Sequence, residues 1–254
     1  MTTVSASSPS LVLYTSKRCP YAQRSEIALY ETNLAFRSEH IDLDNKPSWY
    51  ASKINPASKV PVLVINADAG PTTEIKLPES LVISEYIAEE YADQLGESAL
   101  LPAEAIDRAR VRYLIERFSQ VIAWGNIRSA MEKQDAEENV RLQEALLQFQ
   151  AMLPPTTSGV AGTGVGPFFL GNRYSLAEVA IAPFFGRLML ASSKGLLPNS
   201  KVHLERAVTT EDKFARLNAW WNAVRRRPSF EKSFDEGALV EYYSRRVAEG
   251  QKSK

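Results

Sequence analysis

Cysteine is almost absent from this 254-residue chain. One residue, Cys19, is the whole complement, which excludes an internal disulfide and any cysteine-based metal cluster. Histidine is nearly as scarce, and His40 and His203 stand apart with no second ligand at metal-binding spacing, so no metal is expected. Charge of one sign is lacking too. Lys and Arg total 30 against 30 for Asp and Glu, an even balance that argues against nucleic acid and anionic membrane as partners. No run of about 18 apolar residues occurs. Met1 to Ser10 is small and polar, without the basic flank or apolar core of a secretory signal, so a cytoplasmic protein with no membrane partner is expected. Internal repeats and heptads are missing as well. What remains, 44% hydrophobic and 24% charged residues, is the composition of a soluble globular chain long enough for two domains.

The first hundred residues alternate between strand and helix patterns. Leu11 to Tyr14 is a short apolar run, and Arg24 to Asn33 follows with Ile27, Ala28, Leu29 and Tyr30 clustered as on a helix face. Pro20 fits the first turn of that helix, where its missing N–H costs nothing, which puts Cys19 at the helix N-terminus. Phe36 to Leu43 reads as a strand, Pro47 to Lys53 as a short helix, and Val60 to Ile65 as a β-branched strand paired with Glu74 to Leu77. Glu79 to Tyr91 reads as a further helix. After Pro102 strand patterns vanish, and amphipathic stretches cover Ala103 to Met131, Ala136 to Met152, Ser175 to Ser193 and Lys213 to Arg226. Pro154 to Pro167 is expected to be a surface loop. The expectation is an α+β chain: residues 1–97 as a compact α/β domain, and residues 103–254 as an all-helical one.

Three places in the first domain carry chemistry. At a helix N-terminus free N–H groups and the macrodipole favour an anion, which lowers a cysteine pKa, and Lys17 and Arg18 stand next to Cys19 to add to that. Ala22 occupies the place of the second cysteine of a C-x-x-C pair, so only a monothiol mechanism remains. The Val60-Pro61 bond, at the head of an apolar strand, is expected to be cis. Glu79 and Ser80 open a helix where a hydroxyl and N–H groups can hold a carboxylate, and where Glu79 can meet an ammonium; helix capping is the alternative use.

Cys19-Pro20-Tyr21-Ala22-Gln23-Arg24, Lys59-Val60-Pro61-Val62-Leu63 and Glu79-Ser80-Leu81-Val82-Ile83, in this order and spacing, resemble the omega class of the cytosolic glutathione transferases. Asn172 to Glu178 is similar to the segment that precedes the family's buried central helix, with Ser175 and Glu178 forming a capping box. The resemblance implies a thioredoxin-like N-terminal domain, a helical C-terminal domain, a homodimer, and an enzyme with glutathione as co-substrate. It further implies that Cys19 forms a mixed disulfide with glutathione, giving thiol transfer and deglutathionylation, with Pro20, Tyr21 and Pro61 at the site. Lys59 would lie near the glycine carboxylate, Val60 would pair with the cysteinyl backbone, and Glu79 with Ser80 would hold the γ-glutamyl end. Other classes activate glutathione with a hydroxyl, which keeps Tyr14, Thr15 and Ser16 as rivals for conjugation of electrophiles.

The same resemblance implies a second site, for a hydrophobic small molecule, walled by the helical half. Tyr113, Trp124 and Arg128 are its candidate residues, with Phe118 read as core. A ligand-carrying role for aromatic molecules is the alternative to catalysis. One ring of Trp220-Trp221 is expected inward and one outward, and Arg225 to Arg227 is expected to be a solvated helix end.

Overall fold

A computed structural model describes residues 10–70, 72–154, 165–198 and 203–252. Four strands, β1 (Leu11–Thr15), β2 (Arg37–His40), β3 (Val62–Ile65) and β4 (Ile75–Pro78), form one mixed sheet in the order β2-β1-β3-β4. Strand β1 runs parallel to β2 and antiparallel to β3, which is antiparallel to β4. Period-2 alternation sorts the side chains. Leu11, Leu13, Leu63 and Ile65 face the main core, which also holds Ile27 of α1 (Pro20–Glu31) and Ile83 and Ile87 of α3 (Ser80–Glu90). Val12, Val62 and Val64 face the other side, where Ile54 closes α2 (Ser48–Lys53). The Val60-Pro61 peptide is cis, as expected.

The rest is helical: α4 (Ala92–Leu95), α5 (Ala105–Val121), α6 (Trp124–Glu132), α7 (Ala136–Met152), α8 (Leu176–Ser193), α9 (Leu204–Thr210), α10 (Ala215–Arg225), α11 (Pro228–Ser233) and α12 (Glu236–Lys252). The expected long helix from Ala103 to Met131 is two, because β-branched Val121 and Ile122 are weak helix formers and Ile122 leaves the helix to bury its side chain. Most of the expected loop from Pro154 to Pro167 lies outside the described residues.

Helix α8 is the centre of the helical half. By length and composition it could cross a membrane, yet 89% of it is buried inside the protein as a core helix. Its N-terminus has the expected capping box: Ser175 Oγ accepts from Ala177 N–H, and Glu178 accepts from the Ser175 N–H (3.0 Å) and hydroxyl (2.7 Å). Glu178 also receives the Phe169 N–H at 2.9 Å and Trp220 Nε1 at 3.3 Å, so one buried carboxylate ties three segments together. Phe118 packs on Phe149 in the core, as expected.

Two expectations are corrected. Trp220 and Trp221 are both buried, at 0% and 7% exposure, because Phe149 and Phe185 cover one ring while Phe230 of α11 covers the other. Arg225 and Arg226 are solvated, but Arg227 is not a free helix end. Its guanidinium meets Glu31, at the end of α1, at 2.5 Å and lies 4.2 Å from the Tyr174 ring centre, clamping the helical half to the first helix.

Candidate active site

Cys19 is the N-cap of α1, with Pro20 at the first helical position. Its Sγ accepts the Ala22 N–H at 3.4 Å, and its S–H points to the Val60 carbonyl at 3.9 Å. The cysteine N–H donates to the Ser16 carbonyl at 2.9 Å, closing the turn between β1 and α1. Across from it, the Lys59 carbonyl accepts from the Tyr50 hydroxyl and from Asn55 Nδ2, both at 2.9 Å, which fixes the backbone leading into Val60 and Pro61.

Cys19 and Lys59 open onto a cleft of about 440 Å³. Its wall includes Cys19, Tyr21, Lys59, Val60, Pro61, Glu79 and Ser80, together with Leu43, Lys46, Asn55 and Ser58. Its lining thus combines two exposed lysines, Lys46 and Lys59, with the Glu79 carboxylate and the N-terminus of α3. Glu79 has φ of 72°, a left-handed conformation costly for a residue with a side chain, which is strain of the kind that collects at binding sites. Arg24, buried behind this wall, donates to the Ala180 carbonyl at 2.8 Å and to Ser80 Oγ at 3.4 Å, linking α1 to α8 and α3. Burial pulls its pKa down to about 10.

Electrostatics around the thiol differ from expectation. Burial pushes the Cys19 pKa up, and the Ala22 amide and the Arg187 guanidinium offset only part of that. Arg18 is turned to Asp42 and Asp44, at 3.3 and 2.5 Å, and lies over the Tyr242 ring. The cations coupled to Cys19 are therefore Arg187 of α8 and Arg24 of α1, not Lys17 or Arg18.

None of the rival hydroxyls lines the cleft. Thr15 Oγ1 donates to the buried Glu26 carboxylate at 2.8 Å. Tyr14 lies among Trp49 and Tyr50, packed on the cluster that also holds Ala22 and Val60, and burial pushes its pKa up. Ser16 is buried and offers its carbonyl to the Cys19 turn.

The candidate residues for a second site are dispersed. Trp124, half-buried, meets the ring of Phe184 at 6.0 Å, and Phe184 in turn meets Tyr21 at 5.0 Å. Arg128 is engaged with Glu132 one turn on, at 3.0 Å. Tyr113 is not brought to Cys19: at 66% exposure it lines a separate cleft with Met152, Leu153, Phe169 and Leu170. Sequence reasoning missed Lys46, Asn55 and Arg187. The cue for Arg187 was visible, since a charged residue inside an otherwise apolar helix is rarely buried without a task.

Residues 13–97 match the glutathione S-transferase N-terminal domain. A pyrimidodiazepine synthase from Drosophila melanogaster is 30% identical over 220 residues, which span 86% of this chain and 78% of that protein. Glutathione transferase Omega 1C from Trametes versicolor superposes with a TM-score of 0.80 at 32% identity, covering 95% of this chain and 98% of its own. Omega 2S from the same organism, solved in complex with 2,4-dihydroxybenzophenone, gives a TM-score of 0.78 at 30% identity, covering 94% and 100%. From fold, motifs and relatives together, this chain belongs to the glutathione transferase family, is a glutathione-dependent transferase, and stands with the omega class.

Proposed function

We propose that the cleft binds glutathione and that Cys19 carries thiol transfer and deglutathionylation through a mixed disulfide. The observation that supports this most is the cleft itself, whose lining brings a lone thiol at a helix N-terminus together with two lysines and a carboxylate. Glutathione has two carboxylates and one ammonium. Lys59, with Lys46 beside it, suits the glycine carboxylate; the Val60 backbone suits the cysteinyl unit; Glu79 suits the ammonium and Ser80 with the α3 N-terminus the γ-glutamyl carboxylate. Tyr21 and Pro61 line the same cleft as Cys19, and Pro20 sets the helix start that presents the thiol. Residues 1–97 serve as the glutathione domain, and residues 103–254 supply the second-site wall.

In the first step the Cys19 thiolate attacks the glutathionyl sulfur of a mixed disulfide substrate. The Cys19–glutathione bond forms, the substrate's S–S bond breaks, and the substrate leaves as thiolate. A second glutathione thiolate then attacks the glutathionyl sulfur on Cys19, releasing oxidised glutathione and the Cys19 thiolate, which regains its proton from water. Cys19→Ser tests this. It should reduce deglutathionylation at least 100-fold while leaving the protein folded; undiminished activity would contradict the reading and return the chemistry to a hydroxyl.

A second reading, binding of hydrophobic aromatic molecules, draws support from the benzophenone complex of the Trametes Omega 2S protein. Trp124 and Arg128 are the residues of this chain offered for it. The chain is further read as a cytoplasmic homodimer, with the exposed apolar residues Ile75 and Val82, on β4 and α3, and Ile106 and Tyr113, on α5, in the contact.

A further inference from the structure

Arg187 lies in the middle of α8, fully surrounded by protein. Among the described residues it makes no ion pair. Its Nη2 donates to the Lys17 carbonyl at 3.1 Å, two residues before Cys19, and its Nη1 donates to Gln23 Oε1, four residues after it, and to the Pro183 carbonyl of its own helix at 2.9 Å. Gln23 is held from its other end, its Nε2 donating to Ser233 Oγ of α11 at 3.1 Å. One guanidinium therefore brackets the cysteine turn from the core side.

A buried cation without a carboxylate is expensive to desolvate, and neutral carbonyl acceptors offset only part of that cost. Such a group is retained where its charge has a use. The titratable groups facing Cys19 and Arg187 are Tyr21, Arg24 and Glu26 on α1, Tyr50 on α2 and Tyr243 on α12. Glu26, hydrogen-bonded to Thr15, pushes the thiol pKa up and Arg187 pulls it down, so the positive side of the field at the sulfur falls to the arginines. Arg24 is directed to Ala180 and Ser80, and Arg187 to both flanks of the cysteine.

We propose that Arg187 is a positioning residue for the Cys19 reaction: it holds the turn that carries the thiol and supplies the positive charge against which the thiolate forms. This rests on the reading of Cys19 as nucleophile. It adds that the charge comes from the core helix of the second domain, so the helical half contributes to the reactivity of the first.

The test is the pH profile of Cys19 alkylation by iodoacetamide, which reads the thiolate without any glutathione chemistry and so fails independently of the mixed-disulfide reading. Arg187→Gln should raise the apparent thiol pKa by about one unit, a tenfold loss of thiolate at neutral pH, and Arg187→Lys should recover most of it. A merely structural arginine would leave the profile of a folded Arg187→Gln protein superimposed on that of the unmodified enzyme, and that result would overturn the proposal. Should Arg187→Gln not fold, the side-chain Nε–H resonance of Arg187 in the unaltered protein decides. It should move with the titration of Cys19 and stay fixed in Cys19→Ser; a resonance indifferent to pH in the unaltered protein would equally overturn it.

Discussion

At Cys19 two effects of one location oppose each other. The helix N-terminus offers the sulfur an amide from Ala22, which favours the thiolate, while the same packed turn removes water, which favours the thiol. Burial is the larger effect, so the pKa stands above its ordinary value. The sign for reactivity follows directly. Below the raised pKa the sulfur is protonated and inert, and as pH rises through it the thiolate fraction grows. Formation of the mixed disulfide with oxidised glutathione should therefore accelerate about tenfold per pH unit between pH 6 and 8. A rate already on its plateau at pH 6 would show that the opposing effect wins. The thiolate fraction at this residue is thus set by its packed surroundings rather than by its neighbours in sequence, Arg18 being committed to Asp42 and Asp44.

Among the elements, α8 has the largest structural task, and its start depends on few atoms. Glu178 accepts four hydrogen bonds from Ser175, Phe169 and Trp220, all buried. Glu178→Ala should cost about 3 kcal/mol of unfolding free energy in a denaturant titration, since it strands several buried donors at once. A change under about 0.5 kcal/mol would mean that water or rearranged side chains replace the carboxylate. This motif was legible in the sequence because a capping box is local, Ser175 and Glu178 being three residues apart. The cis Val60-Pro61 bond and the strand-helix order were legible for the same reason. The two buried tryptophans and the Arg227–Glu31 clamp were not, because each depends on which other helix folds back over it.

For the whole molecule, the cleft shows the same division. Its nearer residues, Cys19, Lys59, Val60, Glu79 and Ser80, stand in short motifs and were readable, whereas Arg187 reaches the turn behind Cys19 from a helix more than 160 positions along the chain. The second site was least readable, since it depends on how helices of one half meet the other, and Tyr113 proved to line a different cleft. That exposed residue, with Ile75, Val82 and Ile106, instead fits a contact between two copies. Val82→Arg should then convert a dimer to a monomer in sedimentation, and a chain that sediments as a monomer without the change would contradict the assignment. The central claim concerns a single sulfur, and intact-protein mass spectrometry after exposure to oxidised glutathione tests it most directly. One glutathionyl group is expected, mapped to Cys19 and removed by added glutathione; an unmodified chain under the same conditions would rule the cysteine mechanism out.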